Sequence, residues 1–346
     1  MLTFRHFAIP VAALAICTLG VTESADAAPS YKIVKSIALG GPNKWDFVEY
    51  DPATGHVLVS HRTKVDVVDV STGKIVGEVT VGESHGVVSV PALGRGYADD
   101  AAAKTLVAFD LKTLKTAGTA PVGVDADAVT YDPATGRVFV MNADGNSASA
   151  VDAKTMQALK TVPLSGAPEM AVVDGKGKLF INIASTNEIV VFDTKSLAIM
   201  ARWPVPACTS PHGLAMDTQS GILFASCKND KMIAVDAASG KTIGEFPIGK
   251  GTDSAAFDPV KKLAYSANGD GTLSVIEEKD PHNMVALGDA VTAPGARTMA
   301  LDPKTGRVFL VTADVDNTLP PETPGSKPHY TFKPDSVKLL VLEPQK

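Results

Sequence analysis

The decapeptide YDPATGHVLV at Tyr50–Val59 returns as YDPATGRVFV at Tyr131–Val140. A chain that repeats such a segment is restricted to architectures made of copies of one supersecondary unit. Seven versions run through the sequence, spaced roughly 40–44 residues apart. They begin near WDFVEYDPATGHVLVSH, HGVVSVPALGRGYADD, DAVTYDPATGRVFVMN, EMAVVDGKGKLFINI, HGLAMDTQSGILFASC, DSAAFDPVKKLAYSAN and RTMALDPKTGRVFLVT. Each continues in an apolar alternation closing on an acid: Asp69, Asp110, Asp152, Asp193, Asp236, Glu277 and Glu343.

Period-2 alternation within each copy predicts four short strands. In D-P-x-T-G, Pro presets φ for a turn and Gly accepts the left-handed position. A D-x-x-[TS] turn follows the third strand, where the acid bonds its own backbone. Val, Ile, Phe and Thr fill the strands, as a pleated buried surface prefers. A four-stranded unit of about 42 residues, present seven times, predicts an all-β, seven-bladed β-propeller with antiparallel blades. The last copy stops one strand short, at SVKLLVLEPQK. Residues 31–40, YKIVKSIALG, read as a spare fourth strand. Pairing the two closes the ring and hides two sheet edges. One domain over 28–346 is expected.

The stretch SPHGLAMDTQSGILFASC…MIAVDAASGKTIGEFPIG at 210–249 resembles the YVTN-type β-propeller repeat, and the chain is similar to the YncE-like periplasmic proteins of that family. The resemblance implies the fold and a periplasmic setting. It implies little chemistry, because the shared residues are turn and core residues. It also implies DNA binding. The net charge of −6 and the lack of a basic stripe disfavour nucleic acid as a partner.

Residues 1–27 read as a cleaved signal peptide, with Arg5 and His6 ahead of an apolar run and Ala25-Asp26-Ala27 at the cleavage site. Ile16 before Cys17 argues against a lipoprotein signal. The run is too short to span a bilayer, and no other stretch is long enough. A periplasmic or secreted chain with no membrane span is expected. Cys208 and Cys227 then remain, an even pair that reads as a disulfide in an oxidising compartment. The alternative is a Cys/His metal site with His212.

Function in a ring of copies belongs where the copies share a position but differ in chemistry. Nine residues before the turn Gly or its equivalent, eight in the shortened fourth copy, stand Asp46, His85, Asp127, Glu169, His212, Asp253 and Arg297. All are polar, at the start of each innermost strand, where the blades converge on the top face. They read either as a hydrated, charge-balanced channel mouth or as a ligand-binding ring. A divalent metal at His85 and His212 is the candidate cofactor; His nitrogen with carboxylate oxygen suits zinc, copper, iron or manganese better than calcium. A second ring is expected beside the first, six residues after the turn Gly: His61, Asp100, Asn142, Asn268 and, in the other copies, Ile183, Cys227 and Thr312.

The last copy uses 37 residues from Gly306 to Glu343, where the others use 14–16 from turn Gly to acid. The Pro-rich insertion, about 313–336, lies between the second and third strands, hence on the top face. It is read as a candidate lid carrying His329 and Tyr330, stiff and non-helical. Trp45 is expected near the mouth, Trp203 in blade-edge packing. No C-x-x-C-H, G-x-S-x-G, G-x-G-x-x-G or phosphate loop occurs. The sequence therefore favours a non-enzymatic, monomeric binding or scaffold protein whose top face takes a small polar ligand, a metal ion or a protein partner. The alternative is a metal-dependent hydrolase or oxidoreductase.

Overall fold

The D-P-x-T-G segments fold as their composition dictates. Asp51 accepts hydrogen bonds from Ala53 N (3.0 Å) and Thr54 Oγ1 (2.7 Å), and Gly55 N reaches Asp51 O (2.8 Å). Gly55 takes φ 73°, the left-handed region open to glycine. Asp132 and Asp302 repeat the arrangement with Thr135 and Thr305. Blade six lacks the glycine, and Lys262 adopts φ 56° in its place.

A computed structural model describes residues 1–3, 30–323 and 325–345. The signal-peptide residues and cleavage site lie outside the described residues, apart from the first three. The chain forms seven antiparallel sheets in a ring, a seven-bladed β-propeller. Blade three is representative: Ala126–Asp132, Arg137–Asn142, Ser147–Asp152 and Ala158–Pro163, from the channel outward. In blade one the second and third strands run on as one stretch, His56–Asp69, with Arg62 at φ 56°.

Blade seven closes as expected. Its inner strands Met299–Asp302, Arg307–Thr312 and Lys338–Pro344 are completed by Tyr31–Ala38. Tyr31 pairs with Pro344 and Ala38 with Lys338, and beyond the strand Leu39 N donates to Val337 O (2.8 Å). The Tyr31 hydroxyl lies 2.8 Å from that of Tyr265, tying the closing strand to blade six.

The core is divided among the blade interfaces. Seven buried apolar clusters each join two neighbouring blades. Phe139 and Phe192 meet edge-on at 5.9 Å between blades three and four. Phe180 and Trp203 approach to 5.8 Å at the next interface, so Trp203 serves blade-edge packing. Among the described residues no helix is long and apolar enough to cross a membrane.

The insertion in blade seven is more regular than a stiff loop. Val315–Leu319 pairs with His329–Phe332 as a two-stranded ribbon, because alternating Val, Thr, Tyr and Phe retain strand propensity between the prolines.

Candidate functional site

The innermost strands bring all seven residues of the first ring to one pocket at the top of the channel, with a cavity volume of about 200 Å³. Glycines permit this convergence. A Cβ on Gly86 would fall 2.2 Å from Asp127 O, and one on Gly213 would fall 2.5 Å from the Ser254 carbonyl carbon. The His-Gly dipeptides at 85–86 and 212–213 thus let neighbouring inner strands approach closely.

The mouth has two chemically distinct halves. In one, His85 Nδ1 lies 2.9 Å from Asp46 Oδ2 and 3.9 Å from Asp127 Oδ1. One ligand atom from each of these three residues lies within 4.8 Å of the others. Burial, then Asp46 and Glu169, pushes the Asp127 carboxyl well above its usual range. Burial also raises Asp46, against the opposing His85 hydrogen bond. That hydrogen bond raises His85 in turn. In the other half, Asp253 lies 3.1 Å from Lys228 Nζ and 2.7 Å from Arg297 Nε. Burial works to raise Asp253, but Lys228 and Arg297 outweigh it and hold it low. Glu169 lies 3.2 Å from His212 Nε2 and is pushed up to about 8 by burial and Asp253. Burial and Lys228 push His212 down to about 4. Carboxylates in the first half are therefore short of positive charge, while the second half is neutralised by the protein itself.

Two expectations are corrected by this geometry. His212 does not join His85 as a ligand pair: its Nδ1 lies 2.9 Å from Ser210 O and its Nε2 faces Glu169. The three-ligand group is Asp46, His85 and Asp127. The second ring does not line the mouth. Asn142 pairs with Ala126, Cys227 with Pro211 and Asn268 with Thr252, each one residue before the ring member. A one-residue offset turns a side chain to the opposite face of the sheet. His61 is instead held by Asp66 (2.8 Å) and Pro42 O (2.8 Å), and Asp100 accepts Gly82 N (2.7 Å). Asn142 binds Gly123 N (3.0 Å), Asn268 binds Ser274 (2.9 Å), and Thr312 binds Pro294 O (2.6 Å). Ile183 is buried in the core. The expected Cys208–Cys227 disulfide is present, spans 19 residues and pins the loop entering blade five, so the alternative Cys/His metal site does not form.

Four residues that sequence reasoning missed shape the mouth, among them Asp125, which lines the pocket. Asp99 Oδ1 accepts from His85 N (2.8 Å) and Gly86 N (2.7 Å). Asn182 Nδ2 donates to His212 O (3.1 Å) and Gly213 O (3.0 Å). Lys228 neutralises Asp253. Asp99 and Asn182 stand one residue before the second ring, and a buried polar residue in an apolar strand was the available signal.

Removing the disulfide should cost about 3 kcal/mol, from loop-closure entropy returned to the unfolded chain. Denaturant unfolding of Cys208→Ala/Cys227→Ala against the wild type measures this.

Below the mouth the channel is mainly apolar, with a cavity volume of about 310 Å³. Glu49 lines it, accepting Ser89 N (3.2 Å) and Ser89 Oγ (3.0 Å), and burial pushes its carboxyl up to about 7. Between about pH 4.5 and pH 7 the folded chain holds a proton that the unfolded chain has released. The Glu49 contribution to stability should therefore fall as pH rises through this window, by roughly 3–4 kcal/mol at most, and level off above it. Unfolding at several pH values should show a shallower decline in Glu49→Gln.

No protein-family model matches the chain, and no curated protein matches it.

Proposed function

We propose that this chain is an exported, non-enzymatic binding propeller, similar to the YncE-like proteins, that holds a divalent transition metal at the top-face mouth. One observation carries the metal reading: Asp46, His85 and Asp127 offer ligand atoms within 4.8 Å of one another in the half of the mouth short of positive charge. Ligands about 2.1 Å from one ion stand at most about 4.2 Å apart, so small side-chain rotations would complete the group. One imidazole and two carboxylates suit zinc, manganese or iron. Export is supported by the signal-like residues 1–27 and by the disulfide, a bond that persists in oxidising compartments. The closed ring leaves only short outer edges on its blades, which supports a monomer.

The test is the metal content of protein purified from the cell envelope without chelator or affinity tag. Near-stoichiometric metal, lost in Asp46→Asn/Asp127→Asn with the fold intact, is expected. Absence of metal, or metal indifferent to the substitutions, would leave a charge-balanced mouth. Turnover of esters or lactones by the metal-loaded protein would move the reading to a hydrolase.

A further inference from the structure

Beside the mouth lies a second pocket, walled by the insertion ribbon on one side and the segment before blade one on the other, with a cavity volume of about 280 Å³. We propose that this pocket binds a small aromatic carboxylate, with its ring packed against the aromatic wall of Trp45, Tyr330 and Phe332 and the carboxylate toward Lys327.

The walls supply the aromatic half of the recognition. Trp45 and Phe332 meet edge-on, with centroids 5.1 Å apart at 77°. Tyr330 adds a third ring, in a chain only 6% aromatic. The floor is glycine: a Cβ on Gly295 would fall 2.6 Å from Phe332 Cζ, so bare backbone lets the ribbon's rings descend onto the blades. Asn43 fastens the ribbon by donating to Phe332 O (2.8 Å) and Lys333 O (2.6 Å). These contacts hold the site largely pre-formed, which reduces the ordering cost of binding.

Charge supplies the other half. Lys44, Arg297 and Lys327 line the pocket, and no carboxylate does. Lys44 is paired with Glu83, and Arg297 with Asp253. Among the described residues no carboxylate lies within 4.0 Å of Lys327 Nζ. Burial, then Arg297 and Lys228, holds its ammonium below the usual range against the weaker pull of Glu322 and Asp270, and a bound anion would offset the two repulsions. Lys327 Nζ stands 5.8 Å from the Tyr330 ring centroid, a cation–π contact that leaves its charge without an anion, so the pocket has room for one negative charge. The volume is at the low end for ligand pockets, which limits the ligand to one or two fused rings.

The test is calorimetric titration of the full mature chain with naphthoate, its neutral analogue naphthamide, and the non-aromatic cyclohexanecarboxylate. Naphthoate should bind with one-to-one stoichiometry, and each of the other probes at least about tenfold more weakly. Lys327→Met should weaken naphthoate about tenfold, Lys327→Arg should retain binding, and chelator should leave it unchanged. Failure of naphthoate to bind, equal binding of the three probes, or indifference to Lys327→Met would overturn the proposal. The metal reading of the mouth stands or falls separately, because neither titration nor variant touches Asp46, His85 or Asp127.

Discussion

A chain lacking residues 31–38 should fail to hold the native ring. The deletion removes the strand paired along the outer side of Lys338–Pro344, which keeps only Arg307–Thr312, together with the buried side chains of Tyr31 and Ile37 and the link to Tyr265. Burying two such side chains contributes about 1.5–3 kcal/mol each, before the lost ladder is counted. Against a total stability of about 5–15 kcal/mol, a loss above about 5 kcal/mol leaves little native protein. The newly exposed edge is also a template for pairing with other chains. Circular dichroism and sedimentation should report loss of cooperative melting together with association. A monomer melting like the full chain would show that closure contributes little.

Stripped of metal with chelator, the protein should regain stability when zinc or manganese is added. At an ion concentration a hundred times the Kd, the gain is about 2.7 kcal/mol. His85→Ala and Asp127→Asn should each weaken the ion by more than about 100-fold, since loss of a ligand exceeds loss of its supporting partner. His212→Ala should alter the affinity little, because His212 faces Glu169 in the other half of the mouth. Titration calorimetry of the three variants checks this, and an equal loss in His212→Ala would place the ion across the whole ring.

The propeller was legible because its turns are local chemistry. Asp, Thr and Gly in D-P-x-T-G satisfy one another within five residues, so the copies can be counted without knowing any long-range contact. Closure was legible from one missing and one spare strand. The first ring followed from a constant count back from the turn. The second ring did not, because a count fixes which end of a strand a residue occupies and not which face it presents. The pairing of Asn142 with Ala126, rather than with Asp127, decides the face. The same reasoning explains Asp99 and Asn182, whose parity aims them at the inner strand's backbone. Division of the mouth into two halves was also hidden, since Lys228 lies outside the counted positions and enters only through three-dimensional neighbourhood with Asp253. The insertion announced itself by length, but its pairing with Trp45 joins residues far apart in the chain.

Anomalous diffraction tests the metal site most directly. Crystals grown without chelator would be measured on both sides of the absorption edge of whichever metal the protein carries. A single strong peak about 2.0–2.2 Å from His85 Nδ1 and from carboxylate oxygens of Asp46 and Asp127 is predicted. No peak at the mouth, or a peak held by other residues, would contradict it.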